Sequence, residues 1–380
     1  YFWEVQDLNK WKTFTKGGPY KKWYGNNWLV VNAIDDFAFI RKQSSFTIPR
    51  KEYLWRKAVS YNETGTKGAS FRYIDSTILY SNKASAIFYD DIYFILGLLN
   101  SQLLFYFAEC LNPTVNLEIY DVKRLPLPVY DSINGNYKST VNNLVNINIG
   151  INKRLSANFI IEPLYKSSPI TPASSPESEL TRYYNYENAL LTQILLNEAI
   201  INRIVFDVYE LSEHDRQMVL DKEGIPVGDL SVSQVALEAY KAWLKEENTE
   251  FPASAEVWEH LDSLTIDNEQ PQISDFEKLY QNNYGWEEFC NSDNHRMNPI
   301  EVWYQFRHAG VLPPQRTQSL CFELITDVIR AILKKDDDGV IPLCERMGEE
   351  PLDVRIEQEL VERGYSGAQI SQIEQLLCMN

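Results

Sequence analysis

The chain has 380 residues, 44% of them apolar and 13% aromatic, with a formal net charge of −17. This length accommodates two or three domains, each with its own core, and no run approaches the roughly eighteen consecutive apolar residues of a membrane span. Five widely spaced cysteines (Cys110, Cys290, Cys321, Cys344, Cys378) form no C-x-x-C pair. That spacing argues against a zinc site or a disulfide framework and for free thiols in a reducing cytoplasm.

Charge is distributed unevenly. Residues 1–83 carry 14 Lys+Arg against 7 Asp+Glu, a net of +7, which leaves −24 on the remainder. A basic head on an acidic body fits a chain that meets an anionic polymer through one end only. The opening residues Tyr1-Phe2-Trp3-Glu4-Val5 show neither an initiator Met nor a signal pattern and resemble the middle of a strand. They lead to the expectation that the numbering begins inside a larger protein.

Over the first ninety residues, short runs of β-branched and aromatic residues are broken by Gly, Asn and Asp. Trp28-Leu29-Val30-Val31, Phe37-Ala38-Phe39-Ile40 and Ser45-Phe46-Thr47-Ile48 read as strands. Lys16-Gly17-Gly18-Pro19 and Tyr24-Gly25-Asn26-Asn27 read as turns. From Ile92 to Glu109 the apolar spacing becomes helical and stops at Asn112-Pro113-Thr114. Leu125-Pro126-Leu127-Pro128 is extended, and 139–160 has helical character despite its Asn content. Residues 163–178, rich in Pro and Ser, mark a linker or a long surface excursion, where proteolysis should cut first.

Beyond it, Glu187–Leu211 carries an apolar stripe at Leu190, Ile194, Ile201, Val205 and Val208. Further helices are expected at 232–246, 299–309, 314–335, 352–363 and 367–377, with Gly364 and Ser366 as caps. The fold class is therefore α+β. A β-rich domain over 1–155 is followed by a linker over 156–180 and a largely α-helical C-terminal region over 181–380.

The densest functional cluster runs from Lys16 to Asn27. Gly17 and Gly18 allow close backbone approach to a phosphate, and Lys16, Lys21 and Lys22 supply counter-charge. Trp23 offers a stacking face, and Asn26 or Asn27 can pair with adenine through two hydrogen bonds. Arg56, Lys57, Lys67 and Arg72 form a second group of similar chemistry. The competing reading is a solvated hairpin with aromatics beneath it and ion pairs on a sheet surface.

The run Lys16–Asn27 with Val30-Val31-Asn32 resembles the KGG…KWYGN…VVN signature of PglX-like adenine-specific DNA methyltransferases. These belong to BREX phage-exclusion systems and are related to type IIG restriction-modification enzymes. Later landmarks keep the family's order: Phe71-Arg72, Leu96-Gly97-Leu98-Leu99-Asn100-Ser101, Leu111-Asn112-Pro113-Thr114, Leu125–Pro128 and Ile201-Asn202-Arg203-Ile204-Val205. The resemblance covers residues 1 to about 215. It implies a TaqI-like target-recognition domain that grips double-stranded DNA beside a methyltransferase domain using S-adenosylmethionine.

The family's catalytic tetrapeptide, (N/D)-P-P-(Y/F/W), does not occur here, nor does a Gly-rich cofactor loop after a strand. Catalysis and S-adenosylmethionine binding are thus expected in a methyltransferase domain N-terminal to this chain, with no catalytic, cofactor or metal residue in the chain itself. Two other readings stay open, an interaction scaffold without DNA binding and a restriction nuclease part. A D-x-K at Asp121-Val122-Lys123 and the acidic run Asp336–Gly339 lack the ligand spacing a metal site needs, and the histidines stand apart from one another. The acidic helical region is left to dock a protein partner, to pack on the methyltransferase domain, or to repel non-specific DNA.

Overall fold

The computed structural model describes residues 1–5, 7, 9–43, 48–63, 69–81, 83–114, 116–232, 234–266, 314–344 and 348–378. The expected strand residues Ser45–Thr47, the cation Lys67 and the expected helix over 299–309 lie outside them.

Two small three-stranded sheets form the N-terminal part. In the first, β1 (Trp11–Thr15) lies between antiparallel β2 (Leu29–Asn32) and parallel β5 (Leu79–Tyr80). In the second, β3 (Ala58–Tyr61) lies between antiparallel β4 (Phe71–Ile74) and β6 (Ala86–Ile87). All four residues of β3 and of β4 are buried, and Val59, Tyr61, Phe71 and Tyr73 enter the main core.

The expected strand Phe37–Ile40 is instead a pair of turns, α1 (Ile34–Phe37) and a 3-10 turn over Ile40–Lys42. Asp35, Asp36 and Phe37 have φ of 49°, 52° and 65°, and Arg41 fastens to the Asp36 carbonyl and carboxylate. Phe37 and Ile40 are both buried. Their spacing of three suits a turn, whereas a strand would send them to opposite faces.

Helices follow: α2 (Ile92–Leu99), α3 (Gln102–Leu111), α4 (Ile119–Arg124), α5 (Gly135–Ser156), α6 (Pro176–Val208), α7 (Glu213–Glu223), α8 (Gln234–Glu246) and α9 (Ala255–Ser263). The single helix expected over 92–109 is two, bent by 65°. The corner is chemical. Asn100 accepts from Phe71 N at 3.1 Å and donates to Phe71 O at 2.9 Å, which ties the end of α2 to β4. Ser101 then caps α3, and the first N–H of α3, on Gln102, finds Asn202 Oδ1 of α6 at 2.8 Å. Gly97 lets α2 lie against α5, since a Cβ there would stand 2.6 Å from Val141 Cγ1.

The main core runs from Trp23 to Leu264 and draws on β3, β4, α2, α3, α5, α6, α8 and α9. Helix α6 is its axis. By length and composition this one helix could cross a membrane, contrary to the expectation that no segment is apolar enough, yet 78% of its most apolar window is buried within the protein. Two of its buried amides are paired inside the fold: Asn197 donates to Asn148 of α5 at 2.8 Å, and Gln193 to Phe251 O at 2.9 Å.

A second core joins the start of α6 to α10 (Pro314–Lys335), α11 (Leu352–Glu362) and α12 (Gly367–Leu377), through Leu180, Tyr183, Leu324, Val328, Leu360 and Ile373. The caps expected here are present. Gly364 has φ +95°, and Ser366 forms a capping box with Gln369. The Ser/Pro-rich stretch has no regular structure from Asn158 to Ser175, but it is strapped down. Ile160 and Ile170 are buried, Tyr365 Oη donates to Ile170 O at 2.7 Å, and Gln369 donates to Ser174 O at 2.7 Å.

Candidate nucleic-acid interface

The loop from Lys16 to Asn27 leaves β1 and folds back on itself. Gly18 sits at φ +153°, where a Cβ would lie 2.5 Å from the Trp28 ring and 2.8 Å from the Asn26 side chain. The glycine is therefore needed for packing within the loop. Gly17 is buried at φ +92°.

Asn26 and Asn27 are each 2% exposed. Asn26 is held at φ +62°; its side chain donates to Pro19 O at 2.9 Å, and its backbone O accepts from Thr15 Oγ1 at 3.1 Å. In this arrangement the two asparagines shape the turn. So enclosed, both side chains face the loop interior, and the base-reading role expected of them would require the loop to open.

Lys21, Lys22 and Trp23 are likewise turned inward. Lys21 pairs with Glu162 at 3.2 Å, and that carboxylate is only 2% exposed. Lys22 pairs with Glu198 of α6 at 3.0 Å, and the Trp23 indole N–H donates to the other oxygen of the same carboxylate at 2.7 Å. Burial by itself would lower the Lys22 ammonium, but Glu198 and Tyr20 outweigh it and hold the group above its usual range. Its charge is therefore held by the protein. Trp23 is 2% exposed and continues the sheet as a bridge to Arg72.

Arg72 is 1% exposed and donates to Asn62 Oδ1 at 2.6 Å and to Lys21 O at 3.4 Å. Burial brings its pKa down to about 10, with Glu162 opposing the shift, so it stays charged at neutral pH inside the fold. The phosphate contacts expected of Lys21, Lys22 and Arg72 thus meet side chains already occupied with Glu162, Glu198 and Asn62. Sequence reasoning missed both carboxylates because they lie far along the chain and belong to no motif. The one available signal is that Glu162 stands in an otherwise apolar Ile-Ile-Glu-Pro run.

The remaining cations are placed differently. Lys16, Arg56 and Lys57 are exposed and have no carboxylate partner among the described residues. Lys16 stands at a groove of about 930 Å³ between the two sheets and the helices α2 and α4. Across it is Lys123 of α4, also exposed and also without a carboxylate partner among the described residues. Arg56 lies over the Phe88 ring at 4.9 Å, and Phe88 lines the same groove. Tyr53, Tyr61, Tyr80 and Tyr89 add further rings, and among the described residues no Asp or Glu lines it.

Other candidate chemistry resolves into structure. Asp121 of the D-x-K accepts from Glu118 N at 3.0 Å and from Asn112 Nδ2 at 2.8 Å, closing the turn that precedes α4. Asp336 pairs with Arg355 at 2.6 Å and accepts from Gly339 N. Among the described residues no three His, Cys, Asp or Glu side chains gather as a metal site. His260, expected to stand alone, is buried with Nε2 at 2.7 Å from Gly228 O and Nδ1 at 2.9 Å from Arg203.

No family model matches the chain. Over 227 residues, 57% of this chain, it is 26% identical to the adenine-specific methyltransferase BrxX of Escherichia coli O9:H4 (strain HS). Over 134 residues, 33% of this chain, it is 28% identical to the adenine-specific methyltransferase PglX of Lacticaseibacillus casei (strain Zhang). The matched parts are 18% and 11% of those proteins' lengths, so the chain spans a minor portion of each. The chain is thus distantly similar to a part of two adenine-specific methyltransferases.

Proposed function

We propose that the chain is the DNA-recognition part of an adenine-specific methyltransferase in a BREX-type phage-defence system. Methyl transfer from S-adenosylmethionine would be carried out by a part of the parent protein outside these residues. The observation that carries this reading is a groove whose lining, among the described residues, has Lys16 and Lys123 and no Asp or Glu, with Arg56 lying over its Phe88 ring, in a chain of net charge −17. Positive charge gathered at one groove of an acidic protein favours an anion there, and a phosphate backbone is the anion the homologues' substrate would supply.

The acidic helical region fits a second role as a docking face, since Phe322 of α10 and Val361 of α11 are 54% and 56% exposed. The first reading is tested by titrating the chain with duplex DNA at two salt concentrations. Affinity should fall steeply with salt, and the slope should shrink by about 0.9 for each phosphate contact removed by alanine. Absence of salt-dependent duplex binding would sink it.

A further inference from the structure

The groove between the sheets has more chemistry than phosphate contact requires. Phe88 is its hub: Tyr53 stacks on it at 5.2 Å, Tyr80 meets it edge-on at 6.1 Å, and the Arg56 guanidinium lies 4.9 Å from its centre. The space of about 930 Å³ falls in the range of pockets that hold small organic ligands, roughly 300–1,000 Å³. Flat apolar rings line it, and Lys16 and Lys123 bring positive charge from two different elements. A ligand matching this pattern is planar and aromatic and has anions on its flanks.

We infer that the groove receives unstacked bases of a DNA strand, their rings against Tyr53 and Tyr80, which Phe88 holds in place, and their flanking phosphates on Lys16, Arg56 and Lys123. This rests on the reading of the chain as a DNA-binding module and adds to it a binding mode for single-stranded or locally opened DNA. Alternating cations and aromatic rings is how proteins hold single strands without regard to sequence, because every base presents a π face. An acidic peptide would satisfy the lysines, but it would leave most of the aromatic wall without matching planar groups.

The test uses the full 380-residue chain with a single-stranded oligonucleotide carrying one 2-aminopurine, a duplex of the same sequence, and a Glu/Tyr copolymer as the acidic peptide. Stacking should quench the 2-aminopurine signal on binding. Phe88→Leu, which keeps an apolar side chain, and Tyr53→Ser, at an exposed position, should each weaken single-strand binding by roughly 5- to 150-fold, with duplex affinity changed far less. Salt-dependent duplex binding with no quenching, or with Phe88→Leu binding the single strand as the parent does, would overturn the groove inference alone. Failure to bind either nucleic acid would overturn the DNA reading as well. Tight binding of the copolymer, lost on Lys123→Ala, would assign the groove to a protein partner and overturn the inference.

Discussion

Within the basic head, Lys21, Lys22 and Arg72 differ from Lys16, Arg56 and Lys57 in burial and in having a polar partner inside the fold. The first three are engaged by Glu162, Glu198 and Asn62, while the second three are exposed without carboxylate partners among the described residues. In sequence the two groups are indistinguishable, and Lys16 and Lys21 even belong to one motif. The difference teaches that a cation count measures availability only after acids distant in sequence have been placed. It also recasts the landmark residues. Trp23 with Lys22, the Asn100-Ser101 corner, Asn112 and Asn202 all join one element to another. The most recognisable residues here hold the fold together, and the surface that would meet DNA is built from less conspicuous ones.

The comparison would break first on stability. Glu198→Ala removes the acceptor of both Lys22 and Trp23 and strands a largely buried ammonium. It should cost about 2–4 kcal/mol by urea unfolding, against less than about 0.5 kcal/mol for Lys16→Ala. Equal effects would remove the distinction between engaged and open cations. A smaller loss, about 1–3 kcal/mol, is expected for Gly97→Ala, because the new methyl meets Val141 Cγ1 at 2.6 Å where α2 lies on α5. A neutral result there would mean that the landmark glycine has no packing role.

Two weaker effects sharpen the same contrast. Limited proteolysis should spare 158–175, since the second core and Tyr365 hold it, and early cleavage there would instead favour the linker expected from composition. The smallest effect is on pH. Burial lowers the His260 imidazole below its ordinary 6.5, Arg203 adds to this, and the Gly228 carbonyl and Asp229 oppose it. The unfolded state therefore takes up the proton first, and stability contributed by neutral His260 is lost as pH falls below about 6.5. Burial raises Asp229, which acts in the opposite sense at lower pH and limits the window. The unfolding midpoint of the parent should decline from pH 7 to 5.5 more than that of His260→Gln, and parallel declines would contradict the assignment.

Much of the helical part was legible because its signals are local. The limits of α10, α11 and α12 follow from apolar spacing and from the caps Gly364 and Ser366. The turn before β2 and the extended Leu125–Pro128 were readable for the same reason. What was not legible depends on contacts between distant residues. The corner at Asn100 requires β4 to be present, and the turn at Phe37 requires Arg41 to close on Asp36. The Ser/Pro-rich stretch lacks helix and strand formers, as composition indicated, but its order comes from helices some two hundred positions onward. The groove was invisible because its rings and lysines come from β1, β3, β5, α4 and the connecting turns, which are spread from Phe14 to Lys123 in sequence.

The most direct measurement is duplex-DNA affinity as a function of salt for two variants of the whole chain. One is Lys16→Ala/Arg56→Ala/Lys57→Ala, and the other is Lys21→Ala/Lys22→Ala, compared under conditions where both remain folded. The open-cation variant should lose affinity and lower the salt slope by about 0.9 for each contact removed, while the engaged-cation variant keeps the parent slope and loses thermal stability instead. The reverse pattern, an unchanged slope in the first and a reduced slope in the second, would contradict the account.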